Sequence, residues 1–363
     1  MIDHAGVVDD YLQPLIGDLD HEEFWVVTLS SACRIKSCDR LFSGGIEDVY
    51  RFFTCGYFSR ARWKQGLIYA LIALALFLSY SMLNVCDLST DGCYTLGCAT
   101  GAVVAIAGYP VLAIVAAMGT GVCSGLVNAF LQTKMKVESM LAGIIVNTGL
   151  YTINITIMGK SVISMNDTET LFTRMQDLLE NTPLADASDL ILALIFAVVV
   201  LVLLLLFLNT RLGLSIRATG DNPDMVKSSS INPAFTTTVG LCIGGAMTAL
   251  AGCLIGEYQK SCDINMGTGM VTVALASLII GETIFGKCSI RVRAVGVIAG
   301  SCLYRVIVAI ALRFDLPATA LKLVSAIIVG VAISMPAIKQ IIAFRRTKAA
   351  AVAKRKKMQG GGR

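Results

Sequence analysis

Residues 190–232 read LILALIFAVVVLVLLLLFLNTRLGLSIRATGDNPDMVKSSSIN, and the stretch changes character halfway. From Leu190 to Leu208 no side chain is polar. A bilayer core about 30 Å thick takes about 20 such residues in a helix, so the run is long enough to cross one. From Asn209 onward the chain is mostly polar and rich in residues that cap helices and make turns. Asp221 and Asn222 are N-cap types, Pro223 suits a first helical turn, and Asp224 complements the positive end of a helix dipole. The pattern predicts a short helix over 223–230, ended by Asn232 and Pro233, lying flat beneath the membrane.

The surrounding chain has 363 residues, 55% hydrophobic and 15% charged, with mean hydropathy +0.73. A water-soluble domain needs a largely polar surface, so this composition points to an integral membrane protein. Further apolar runs lie at 66–84, 139–159, 234–256, 266–285, 294–312 and 320–338. Region 93–131 is too long for one crossing and too short for two comfortable ones. Its segment YTLGCATGAVVAIAGYP, 94–110, reads as a broken or re-entrant element with breaks at Gly101, Gly108 and Pro110, leading into a full span over 111–131. Such backbone survives at membrane depth only where protein or water satisfies it, which favours a transport path over a passive anchor.

Lysine and arginine collect on the cytoplasmic side of membrane proteins. The tail 344–363 holds eight basic residues and no acid, and RARWK at 60–64 precedes the first span, so both are expected inside. Loop 160–189, with two basic and six acidic residues, suits the outside. Loops 132–138, 209–233 and 286–293 then fall inside, and the expected fold is an all-α polytopic membrane protein with about eight transmembrane helices. Residues 1–64 form an N-terminal extension, 65–343 the membrane domain and 344–363 a basic tail. The first sixty residues resemble no targeting signal; they read equally as a cytoplasmic extension or as the product of a start codon assigned too far upstream.

The twelve cysteines are scattered, mostly singly within apolar runs, where a thiol behaves as a small hydrophobe. Cys86 and Cys93 alone would share an outer loop and are the one candidate disulfide pair, a reading less favoured than free thiols. Cys33, Cys38 and Cys55 lack the close pairs and histidines of a zinc site, so for them free thiols are the better reading. No cofactor or metal is expected.

The pattern RATGxNPxMxxxxxIN, after a long apolar span and LGLSI, resembles the cytoplasmic coupling loop of permease subunits of ATP-binding-cassette (ABC) importers of the branched-chain amino acid and ribose type. DLSTDGCYTLGCATGA (87–102), ESMLAGIIVNTGLYTINITIMG (138–159) and DINMGTGMVTVALASLIIGE (263–282) are similar to the same family. The likeness covers about 65–343, in order, and is nearest to permeases of tryptophan/tyrosine or unassigned amino-acid transporters. It implies that Arg217, Ala218, Gly220, Asn222 and Ile231 belong to the coupling pattern, with Ser230 where the family commonly has glycine. It also implies the partners: a cytoplasmic ATPase dimer, an extracytoplasmic binding protein and a second permease subunit, in a bacterial inner membrane with both termini cytoplasmic. ATP hydrolysis is expected in a separate chain.

Polar residues within the spans are further candidates. Asn128, Asn147, Thr148 and Asn154 are candidates to line the path; Asn147 and Asn154, seven apart, share a helix face, and with Tyr151 they read as a polar stripe. Hydrogen bonding between helices explains such a stripe about as well. Arg305 sits near mid-helix, where an arginine costs roughly 2.5–3.5 kcal/mol on insertion scales, and Glu282 is its candidate partner, as a structural ion pair or a gating element. Gly240 and Gly244, then Gly252 and Gly256, repeat at the spacing that lets helix backbones approach.

Three other readings are weaker. GETIFGKC (281–288) has phosphate-loop spacing, but Cys288 replaces the magnesium-binding Ser or Thr and the segment leaves a membrane helix instead of a strand. An ion-driven secondary transporter would be expected to show buried acids placed for coupling, and only Glu282 is a candidate. An intramembrane enzyme has no histidine after position 21 to work with.

Overall fold

The computed structural model describes residues 23–29, 35–43, 57–166, 168–179, 187–285, 289–312 and 330. The apolar run at 320–338, apart from Gly330, and the tail 344–363 lie outside them. Residues 1–61 form a compact unit of their own. Within it β1 (Glu23–Leu29) and β2 (Ile35–Ser43) pair antiparallel, Glu23 opposite Ser43. An all-α reading therefore misses this hairpin, as it misses a second short strand pair described below.

The larger unit is a helical bundle. Five stretches among the described residues are long and apolar enough to cross a membrane: Trp63–Met82, Pro110–Thr133, Ser139–Met158, Ser188–Leu208 and Pro233–Gln259. The first is α1 (Tyr57–Leu76) continued by a π-helical turn, Phe77–Met82. A helix apolar all round belongs inside a bundle, and Leu71, Ala73, Leu74 and Phe77 are fully buried.

After Met82 the chain leaves helical geometry. Asn84 has φ +56, and residues 83–89 run irregularly until α2 (Thr90–Ile106) begins. Gly101 lies inside this continuous helix, packed against Cys253, so it does not break the chain. Gly108, at φ +93, makes the turn into α3 (Pro110–Thr133), whose first residue is the proline. Of the breaks expected in 94–110, Gly108 lies in the turn 107–109 that ends α2 and Pro110 directly after it, whereas Gly101 does not break the helix; a further interruption precedes α2, at 83–89.

α4 (Ser139–Met158) follows, then β3 (Val162–Ser164), α5 (Leu171–Leu179) and α6 (Ser188–Leu208). The Lys64 ammonium pairs with Asp189 at 2.8 Å, joining the start of α1 to the start of α6. At the other end of the bundle the Met82 carbonyl abuts Gly220, beyond the end of α6. α1 and α6 therefore run in the same direction. Between Lys64 and residue 209 the chain makes five passages: α1, the segment 83–106, α3, α4 and α6. Loop charge predicted four, with RARWK on the side of loop 209–233. That placement is corrected, because Lys64 lies at the opposite end, its charge neutralised by Asp189.

The helix α9 (Pro233–Gln259) is the bundle's spine and is buried along most of its length. A Cβ at Gly252 would overlap the Tyr94 carbonyl and one at Gly97 the Ala249 backbone, so α2 and α9 touch backbone to backbone. Gly240 meets Leu83 and Gly256 meets Cys98, whereas Gly244 has only the Ala75 oxygen, at 3.7 Å. β4 (Ser261–Asp263) pairs antiparallel with β3, Val162 opposite Asp263. Nearby, Phe172 of α5 packs edge-on against Tyr258, and the Leu171 N–H donates to Glu257 at 2.9 Å. The span expected from 266 is helical only from Met270: α10 (Met270–Phe285) and α11 (Ile290–Leu312) close the described bundle, Gly281 against the Gly296 carbonyl.

Candidate functional site: a capped loop and two interrupted crossings

The polar segment after α6 is more ordered than a loop. Thr210 caps α7 (Arg211–Asp221), accepting from the Gly213 N–H at 3.2 Å. Sequence reading placed no helix here; the signal was the threonine cap and the spacing of Gly213, Ile216 and Gly220. Ile216 and Thr219 are buried, and the Thr219 and Thr236 hydroxyls lie 2.8 Å apart, tying α7 to α9. Arg217 is half-buried and Ala218 exposed. Gly220 must be glycine, since any Cβ would strike the Met82 carbonyl at the end of the first crossing.

Asn222 then leaves helical geometry, at φ −159 and ψ 101, and caps α8 (Pro223–Ser228). Its side-chain oxygen accepts from the N–H groups of Asp224 (3.0 Å) and Met225 (3.2 Å), and Pro223 fills the first turn. The helix ends at Ser228, not 230. Ser230 takes φ +61, its N–H donates to the Lys227 carbonyl, and the Ile231 N–H donates to the Val226 carbonyl. That is a Schellman termination, which favours glycine at the left-handed position. Asn232 and Pro233 do not end α8; they begin α9, with Asn232 accepting the Ala234 N–H at 3.0 Å. Val226 is the buried side chain of α8, and Met225 points outward, 68% exposed.

The second feature lies at mid-depth. Gly92 faces Asn147 halfway along α4, and the Cys93 thiol donates to the Gly245 carbonyl halfway along α9, so α2 starts in the middle of the bundle. The Asp91 carboxylate accepts the Gly269 N–H at 3.0 Å and the Val271 N–H at 2.8 Å, capping α10 from a different crossing. Both helices therefore begin at one level and run apart. α2 ends beside Arg174 of α5, with which Gly108 and Tyr109 share a cleft; the chain after α10 returns to the end that holds Asn209 and Arg217. Interrupted helices paired in opposite senses recur in transport proteins.

Residues 63–344 match the family described as branched-chain amino acid transport system / permease component. The chain belongs to this family of ABC permeases. The permease is 36% identical over 266 residues, 73% of its length and 86% of the relative's, to the tyrosine transport system permease protein of Clostridioides difficile (strain R20291). It is 25% identical over 276 residues, 74% of its length and 70% of the relative's, to the galactofuranose transporter permease protein YtfT of Escherichia coli (strain K12). No solved structure matches it.

In this permease the polar residues of the spans mostly brace the interruption at 83–89 and the first turn of α2. Asn128 donates to Asp87 at 2.8 Å and to Ser89 at 3.2 Å, and Asp87 in turn accepts the Ser89 N–H and hydroxyl. Asn154 donates to the Gly92 carbonyl at 3.2 Å. Asn147 and Asn154 both reach Gly92 of α2, and Tyr151, between them on the same side of α4, is 50% exposed. Thr148 is exposed, its hydroxyl bonded to the Ile144 carbonyl.

The Glu282–Arg305 pairing is corrected as well. Glu282 pairs with Arg293 on α11, with Ser81 bonded to both, while the Arg305 guanidinium stacks on the Tyr69 ring at 3.7 Å. Eleven residues separate Glu282 from Arg293 across a short connection, so the nearer arginine wins. Cys86 and Cys93 are both free thiols. Asp91, Lys64 and Asp189 were not singled out by sequence reading. Asp91 alone had a local signal, an acid in the first turn of an interrupted helix.

Proposed function

We propose that the permease forms the translocation path of an importer for a small solute, and that the segment 209–233 couples it to a separate cytoplasmic ATPase. The observation that carries this reading is the capped joint at Asn222. α7 and α8 meet there with both helix ends satisfied, so force applied to α8 is passed on instead of being absorbed by a slack loop. Gly220 against Met82 and Thr219 against Thr236 give that force two routes, into the first crossing and into the spine helix α9. In this reading Arg217 and Ala218 sit on the lever, Ile231 locks its end, and Met225 enters the ATPase groove.

Permeases of this family normally work with an ATPase and a substrate-binding protein. We take the assembly to hold two permease subunits, two ATPase subunits and an extracytoplasmic binding protein, in a bacterial inner membrane. Residues 65–343 would be the transmembrane domain and 344–363 a cytoplasmic tail. With loop 209–233 inside, Lys64 falls outside. The tyrosine transport relative supports an amino-acid solute, and an aromatic side chain is the first choice to test.

The test is uptake into vesicles reconstituted with the partner ATPase and binding protein. Asn222→Ala should retain ATP hydrolysis while uptake falls roughly tenfold, the effect of losing about 1.4 kcal/mol of coupling. Unaltered uptake, or wild-type uptake driven by an ion gradient with no ATPase present, would overturn the proposal.

A further inference from the structure

One charged cleft joins two residues of the segment 209–233 to the start of α11. Asn209, Arg217 and Arg291 line a cleft of about 190 Å³ whose remaining wall includes Leu205, Leu208 and Ile290. Neither guanidinium makes an ion pair or hydrogen bond among the described residues, and no acid lines the cleft. Two like charges bordering one small cleft repel each other, and an anion between them relieves the repulsion. The cleft also adjoins the start of α11, a 23-residue helix whose positive end favours the same sign of ligand. Arginine's planar fork suits a phosphate.

The surroundings narrow the source of that phosphate. The cleft sits where the leucine-rich crossing α6 ends. Apolar side chains continue from it along both neighbouring helices: Leu194 and Val198, on the face of α6 that carries Leu205, and Val295, one turn on from Arg291 in α11, are exposed. A free anion has no use for this apolar track, whereas a lipid does. Basic pockets between transmembrane helices are a recurrent way of holding anionic headgroups.

We propose that this cleft binds the phosphate of an anionic phospholipid, with its acyl chains along the α6–α11 groove. The site shares Asn209 and Arg217 with the proposed coupling segment, but lipid retention reads it without ATP or an ATPase, so its failure and the failure of the coupling reading are distinguishable. It is tested on the purified permease by native mass spectrometry after exchange into equimolar phosphatidylglycerol and phosphatidylcholine. Wild type should retain phosphatidylglycerol roughly tenfold over phosphatidylcholine, the ratio one charge-assisted hydrogen bond supplies. Arg291→Gln should bring the ratio near unity, and Arg291→Lys should keep part of it. Equal retention of the two lipids by wild type would overturn the proposal, a result that needs no variant to fold. So would thermal protection by inorganic phosphate equal to that given by phosphatidylglycerol vesicles, which would assign the cleft to a soluble anion.

Discussion

Asp91 holds the backbone N–H of Gly269 at 3.0 Å, although 178 residues separate them in sequence. The same carboxylate takes the Val271 N–H, so one acid at the start of α2 closes the open end of α10. A hydrogen bond to a charged group contributes about 1.5–3 kcal/mol. Asp91→Ala should therefore lower the unfolding midpoint in detergent clearly, and Asp91→Asn, which keeps one accepting oxygen, should lower it less. A midpoint unchanged in both variants would remove Asp91 from the account.

Ser230 occupies a left-handed position that a side chain opposes by roughly 1–2 kcal/mol. Ser230→Gly should slow hydrogen exchange at 223–231 and leave the rest of the bundle as it is. Ser230→Val, β-branched at positive φ, should speed it.

Gly220 allows α7 to rest on the Met82 carbonyl. Gly220→Val should force the two apart at a cost of about 1–3 kcal/mol, typical of overpacking, and reduce ATP-driven uptake. Gly149→Ala is the control, since a Cβ there meets nothing within 4 Å. Equal effects from the two substitutions would contradict the packing argument.

The five passages between Lys64 and residue 209 fix which positions share a side. In a background lacking native cysteines, Trp63→Cys and Met225→Cys should react with an impermeant maleimide from opposite faces of oriented vesicles. Both positions are open enough to react, Trp63 at 46% and Met225 at 68% exposure. Labelling of both from one face would restore the topology read from loop charge.

The contrast between that topology and the observed one shows where sequence is readable. The crossing at 190–208 is apolar throughout, and the Asn222–Pro223 cap is spelled by adjacent residues, so both were legible locally. The interruption at 83–89 was not, because its partners are distant: Asn128 is 41 residues from Asp87, and Asp91 works on α10. Charge counting failed at Lys64 for a related reason. The contact that places Lys64 at the start of α6, with Asp189, lies 125 residues on and has no local signal. The same holds for Glu282, whose choice of Arg293 over Arg305 depends on how α10 and α11 fold back on each other.

The most direct test of the coupling lever is contact with the motor. A photo-reactive benzoylphenylalanine placed at Met225, on the outward face of α8, should form an adduct with the ATPase subunit when the complex is illuminated in native membranes. Adduct formation at Met225, absent when the probe replaces Tyr151 on the face of α4, is the predicted result. An illuminated, transport-competent complex with no ATPase adduct at Met225 would contradict it.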